Sequence, residues 1–208
     1  MDKITIIIVS YNTKELLENC INSIRNHSKS IKIIIIDGSE INNECSRYVR
    51  KINNNQNRVI KLNNNIGHGK GMDFGINLVG TPYFCVVDSD TIMIQNPLFK
   101  MLELIKDNYG VGCVVDVDDK GVNFENGIKY LHPYFALINK EMYKRFKPFY
   151  HHGAPCLNAM KDINNKGLQS KLIHFDLEKY IKHLGRGTRI LDPKEFKPKY
   201  WDKWLIVF

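Results

Sequence analysis

The sequence predicts an α/β domain with a mostly parallel central sheet flanked by helices, and three features carry that prediction. ITIIIV (4–9) and IKIIIIDGS (31–39) are continuous β-branched runs, as expected of strands buried on both faces. Between them, TKELLENCINSIRNHS sets Leu16, Leu17, Cys20, Ile21 and Ile24 at helical spacing, with Thr13 available as an N-cap. The strand–helix–strand rhythm then repeats, which implies right-handed crossovers.

Taken in order, a charged helical segment (40–53) precedes a short strand, RVIKL (58–62). A glycine-rich turn opens a helix over 67–79, and YFCVV (83–87) forms the next strand. After Pro97 the run LFKMLELIKDN is an amphipathic helix, followed by the strand GVGCVVDV (110–117). Beyond that the rhythm weakens: KYLHPYFALI (129–138) is a strand, NKEMYKRF (139–146) a short helix and 154–166 a further helix, before an aromatic and basic tail. At 208 residues without repeat or linker, the chain 1–208 is expected to be one domain.

Composition narrows the function classes. With 43% hydrophobic and 25% charged residues, the chain is neither disordered nor membrane-spanning in character. The apolar run in MDKITIIIVSYN is too short to cross a bilayer and lacks a basic leader with a small-residue cleavage site, so the expectation is a cytoplasmic protein. Five scattered cysteines without CxxC spacing argue against a disulfide framework or a structural zinc site. The net charge of +8 suits an anionic partner, or equally a surface of solvated lysines. No helix-turn-helix, zinc-finger or RNP-type stretch supports nucleic-acid binding. Tyr200, Trp201, Trp204 and Phe208 among the lysines of the tail suit packing on the core, with a peripheral membrane contact or an oligomer contact as alternatives.

Ligands of open α/β sheets bind outside the carboxyl ends of the strands. Four distinctive stretches fall there: SYN (10–12), DGS (37–39), NIGHGKG (65–71) and DSD (88–90). Asp88 and Asp90 sit just past an apolar strand, where both carboxylates can turn to one point. Magnesium or manganese prefers such oxygen ligands and commonly shares them with substrate phosphates. The alternative is a simple turn and helix cap. Gly67, Gly69 and Gly71 permit close backbone approach to a ligand, and a helix N-terminus favours an anion. The spacing matches neither the dinucleotide fingerprint nor the phosphate-binding P-loop.

IIIVSYN, IIIIDGS, NIGHGKGMDFGI and YFCVVDSD, in this order, resemble the family 2 inverting glycosyltransferases of the GT-A fold. The resemblance implies a GT-A-type, Rossmann-like domain that moves a sugar from a nucleotide-diphosphate donor (UDP-, dTDP- or GDP-linked) to a hydroxyl of a saccharide or glycoconjugate, with inversion and a divalent cation, Mn2+ or Mg2+. It divides the chain into a nucleotide-sugar-binding half (1–95) and an acceptor-side half (96–208). Ser10, Tyr11, Asn12 and Asp37 would cradle base and ribose. Asn65, Gly67, His68, Lys70 and Gly71 would line the donor, with Ser89 beside the metal ligands Asp88 and Asp90. YIKHLGRGTR (180–189) resembles the segment that completes such a site, implying His183 as a third ligand and Arg186 and Arg189 beside the diphosphate.

The second half departs from the pattern. Where the family carries an acidic pair that supplies the base, HHGAPCLNAMKDINNKG (151–167) has Gly153 and Ala154. His152, His151 or Asp162 would have to serve as base, the chain has another acceptor geometry, or it is an inactive nucleotide-sugar or glycan-binding module. Sugar nucleotidyltransferases share the α/β design but resemble one another in a glycine-rich basic loop directly after the first strand, where this chain has SYNTKE.

Overall fold

The computed structural model describes residues 2–185. The elements run β1 (Ile4–Ser10), α1 (Lys14–His27), β2 (Lys32–Asp37), α2 (Glu44–Ile52), β3 (Asn57–Lys61), α3 (His68–Asn77), β4 (Tyr83–Asp88), β5 (Thr91–Met93) and α4 (Leu98–Ile105). There follow β6 (Gly110–Val117), β7 (Ile128–Asn139), α5 (Lys140–Tyr143), α6 (Leu157–Asn165), β8 (Leu172–His174) and β9 (Ile181–His183). Seven strands form one sheet in the order β3-β2-β1-β4-β7-β6-β8, and β5 and β9 form a separate ribbon. β1, β2, β3 and β4 are mutually parallel, and β8 runs parallel to β6. Only β7 opposes its neighbours, so the sheet is mostly parallel as expected.

Alternation along the β-branched strands feeds a core on each face. Ile6, Ile8, Ile33 and Ile35 pack with Leu17, Cys20 and Ile24 of α1, Val49 of α2, and Leu98 and Met101 of α4. Ile7, Ile34 and Ile36 pack with Met72 and Ile76 of α3 and Leu157, Met160 and Ile163 of α6. Both faces are therefore covered by helices, which is why these strands carry no polar face.

Several boundaries differ from expectation for local reasons. The helix expected over 40–53 starts at Glu44, because the Asn43 side chain caps Cys45 N–H at 2.8 Å. The helix expected from 154 starts at Leu157; residues 151–156 form a loop closed by Tyr150 N–H donating to Pro155 C=O at 3.1 Å. β5, β8 and β9 were not anticipated, since three residues are too few to show a period.

The strand order places the site. The chain winds outward from β1 to β2 and β3, then returns to the other side of β1 with β4, so the direction switches between β1 and β4. Ser10 pairs with Asp37, Asp37 with Lys61, and Val9 with Asp88, which lines the strand ends along one edge.

Candidate metal and donor site

At the switch point, β4 ends in Asp88 and the chain turns through Ser89 and Asp90 into β5. The register of β5 with β9 sets Thr91 opposite His183, and Leu184 N–H donates to Asp90 C=O at 3.0 Å. His183 is thus carried onto the two carboxylates. Its Nε2 lies 3.2 Å from Asp90 Oδ1 and 3.6 Å from Asp88 Oδ2. From the opposite side, at the start of α3, His68 Nε2 lies 3.2 Å from Asp88 Oδ1.

The electrostatics follow from this crowding. Burial opposes ionisation of Asp88, but the adjacent His68 and His183 imidazoles outweigh it and hold the carboxyl far below its usual range. Burial likewise disfavours protonated His183, yet its hydrogen bonds to Asp88 and Asp90 and their charges raise it to about 10. His132, on β7, is lowered to about 4, first by burial and then by His183.

The residues fit a hard divalent cation. One ligand atom from each of Asp88, Asp90 and His183 lies within 4.8 Å of the others. Opposite donors around a magnesium-sized ion stand about 4 Å apart. Asp88 Oδ1 is moreover buried without a well-aligned hydrogen bond despite its nearness to His68, as a carboxylate oxygen shaped for another partner would be. Two carboxylates with one imidazole suit manganese or magnesium better than a soft metal.

Around this centre the motif residues take varied positions. Asp37 is fully buried; its Oδ1 accepts from Ser39 N–H and Oγ–H, and its Oδ2 lies 3.5 Å from Lys61 Nζ. Ser10, 2% exposed, turns its hydroxyl inward to Cys45 Sγ at 3.1 Å. Asn12 adopts a left-handed backbone (φ 54°) and its N–H donates to Ser39 Oγ at 2.8 Å, which ties the first two turns together. Tyr11 beside it is half-buried. Ser89 Oγ lies 3.4 Å from Thr13 Oγ1. The exposed Asn65 caps Gly67 N–H at 2.9 Å, and Gly67 has φ 86°.

The glycines of α3 have a different use from the one read in the sequence. A Cβ at Gly71 would lie 2.9 Å from Val9 Cγ1, and one at Gly69 would lie 2.5 Å from His151 C=O. The close approach at these two positions is between parts of the protein: α3 onto β1, and the 150–153 loop onto the start of α3. Lys70 projects over the Tyr150 ring at 4.7 Å.

The base candidates separate. His152 is exposed beside the start of α3; its Nδ1 would be 3.9 Å from a Cβ at Gly67, next to His68. Asp162 on α6 is held by Lys166 Nζ at 3.2 Å and by Lys147 N–H at 3.3 Å, within the α5–α6 region. Ala154, where an acid was sought, is 3% exposed, and a Cβ at Gly121 would stand 2.5 Å from its own. Arg186, Arg189 and the tail lie outside the described residues. The strand and helix over 129–146 are expected from the sequence to wall the acceptor side, with Tyr134 and Phe135 suited to stacking on a sugar ring or to the core; both are buried, at 8% and 0% exposed, and the Tyr134 ring lies against His183 instead. His132 was missed, since a histidine inside an apolar strand gives no signal of its own.

The fold matches solved structures. A Pyrobaculum calidifontis mannosyltransferase in complex with GDP-Man and Mn2+ superposes with TM-score 0.66 at 14% identity, covering 91% of this chain and 59% of that one. Staphylococcus aureus TarS (1–349) in complex with UDP-GlcNAc gives 0.62 at 17%, covering 88% and 61%. Both show the GT-A fold. Among curated proteins, the chain is 29% identical over 115 residues to a Staphylococcus epidermidis teichoic acid poly(glycerol phosphate) polymerase, covering 53% of this chain and 16% of that one. It is 24% identical over 128 residues to the Streptococcus pneumoniae glycosyltransferase GlyG, covering 58% and 42%. The chain thus spans less than half the length of these relatives. The model of glycosyl transferase family 2 matches residues 5–166, and the chain belongs to that family.

Proposed function

We propose that the chain transfers a sugar, with inversion, from a nucleotide-diphosphate donor to a hydroxyl of a saccharide or glycoconjugate acceptor, with Mn2+ or Mg2+ at Asp88, Asp90 and His183. The observation that carries this reading is the convergence of these three ligands, with a buried, poorly satisfied carboxylate oxygen, at the switch point of the sheet. We assign the base and ribose side to the turns after β1 and β2, with Tyr11 as the stacking candidate; Asp37, fully buried and engaged by Ser39 and Lys61, shapes that turn from beneath rather than accepting from a base N–H. A divalent cation, when bound, neutralises the donor diphosphate and stabilises it as a leaving group.

The remaining chemistry falls to the chain's own groups. We assign His68, beside Asp88 at the start of α3, to the diphosphate, where the helix N-terminus also favours negative charge. Attack by an acceptor hydroxyl requires removal of its proton, and His152 is the group we assign to it. It is an exposed imidazole, the side chain suited to proton removal near neutral pH, and stands at the same helix start. Asp162 is the weaker choice, since Lys166 and Lys147 already engage its carboxylate. We read the reaction as cytoplasmic; among the described residues no helix is long and apolar enough to cross a membrane.

A second reading, a donor-binding module without turnover, is favoured by buried Ala154 at the place of the family acid. A thermal-shift panel of UDP-, GDP- and dTDP-sugars with and without Mn2+, on wild type and Asp90→Ala, tests both. One donor at about 100-fold over its Kd should raise Tm by about 5 °C or more, only with Mn2+ and only in wild type. Release of the nucleoside diphosphate from that donor supports transfer; binding without release supports the module. A shift that does not depend on Mn2+ would refute the metal site, and no shift with any donor, with or without metal, would refute both readings.

A further inference from the structure

His183 reaches the carboxylates on a strand three residues long that, among the described residues, pairs with β5 alone. A side chain on so short an element needs support from elsewhere if its imidazole is to keep one orientation. That support comes from β7. The Tyr134 ring lies flat on the His183 ring, with centroids 4.8 Å apart and planes 10° from parallel. His132 meets the same imidazole edge-on at 6.2 Å and packs on Tyr134 at 5.1 Å.

Tyr134 is itself held in place by burial and by a backbone contact. It is 8% exposed, Thr91 Oγ1–H donates to its carbonyl at 3.1 Å, and its side chain belongs to a buried cluster against which Cys113, at the bulge of β6, packs. Thr91 is in turn the register partner of His183. The contacts close a circuit from β7 to β5 to β9 and back through the stacked rings.

We infer that Tyr134 is a positioning residue for the metal centre: its ring fixes the plane of the His183 imidazole so that Nε2 faces Asp88 and Asp90 before a cation arrives. The inference rests on the reading of Asp88, Asp90 and His183 as metal ligands. A flat aromatic face is what the role requires, so phenylalanine should preserve it and leucine should not.

The test is Mn2+ affinity by calorimetric titration, with no donor or acceptor present, for wild type, Tyr134→Phe, Tyr134→Leu, Phe135→Leu and Asp90→Ala, alongside urea unfolding without metal. Phe135 is fully buried on the same strand and belongs to the core, so Phe135→Leu reports loosening of β7 alone. Tyr134→Phe and Phe135→Leu should bind Mn2+ within about twofold of wild type, and Tyr134→Leu roughly tenfold or more weaker. If Tyr134→Leu binds as wild type does, or Phe135→Leu weakens binding as much, the positioning role is overturned while the metal centre stands. Should wild type bind no Mn2+, or Asp90→Ala bind it equally well, the metal reading falls and the inference falls with it.

Discussion

Gly69→Ala separates the two uses a glycine-rich helix start can have. If Gly69 serves an open ligand space, an alanine there should fold normally, and should even gain up to about 1 kcal/mol of helix propensity. The structure gives the opposite sign. The new Cβ would stand 2.5 Å from His151 O, 2.6 Å from Tyr150 C and 2.7 Å from Tyr150 N, against ordinary contact at 3.4–4 Å. All three are backbone atoms of the loop whose His151 carbonyl accepts from Gly69 N–H at 3.0 Å, so no side chain can swing away. Overpacking of this kind costs about 1–3 kcal/mol, and with rigid obstacles the upper end applies. Setting the propensity gain against it leaves a loss of about 2 kcal/mol, a fall in Tm of roughly 4–8 °C for a chain of this size. Urea melts and calorimetry of Gly69→Ala beside Gly80→Ala, where a Cβ meets nothing within 4 Å, would measure it. Gly80→Ala should stay within about 0.5 kcal/mol of wild type. A Gly69→Ala protein as stable as Gly80→Ala would refute the packing argument.

Other substitutions probe the site from different directions. Lys61→Met leaves the fully buried Asp37 without its cation; discounted because the Lys61 side chain is 24% exposed, the loss should be about 2–3 kcal/mol, read as a lower urea midpoint. Ala154→Asp should not supply the family acid: a carboxylate at this 3% exposed position, packed against Gly121, should cost about 2 kcal/mol or more and give no increase in nucleoside-diphosphate release. His152→Ala should slow donor turnover by roughly 100-fold or more with donor affinity unchanged, whereas Asp162→Asn should leave the rate within about twofold; a reversal of these two in a turnover assay would exchange the bases.

Much of this architecture was legible because the physical signals are local. Ile6, Ile7, Ile8 and Ile33 to Ile36 announce strands buried on both faces, and YFCVVDSD announces a strand ending in carboxylates, so the sheet and Asp88 and Asp90 could be placed from the sequence. His183 came from a resemblance of motif, since a lone histidine carries no signal of its own. What stayed hidden depends on register and close packing. The ribbon that delivers His183 is three residues by three, and Tyr134 reaches it only because β7 runs antiparallel beside β4 and passes its end. Ser10 was read as facing a ligand, but its hydroxyl turns to Cys45, a residue 35 positions away. Gly69 and Gly71 were read as making room for a donor because a glycine in sequence shows the absence of a side chain and not which neighbour fills the space.

The division of the chain into a donor half and an acceptor half therefore does not coincide with a division of the site. Asp88 and Asp90 belong to the first 95 residues, but the group that meets both carboxylates is His183, and the ring that holds it flat belongs to β7. The start of α3 is likewise closed by the 150–153 loop, through the Gly69 N–H and the His151 carbonyl. A β1–β4 unit on its own would leave Asp88 beside His68 and would bring no imidazole of His183 to the two carboxylates. Antiparallel β7, inserted beside β4, lets later segments reach back over the strand ends, so that Asp88, Asp90, His183 and the His151–His152 loop are gathered at one edge only when both halves are folded together.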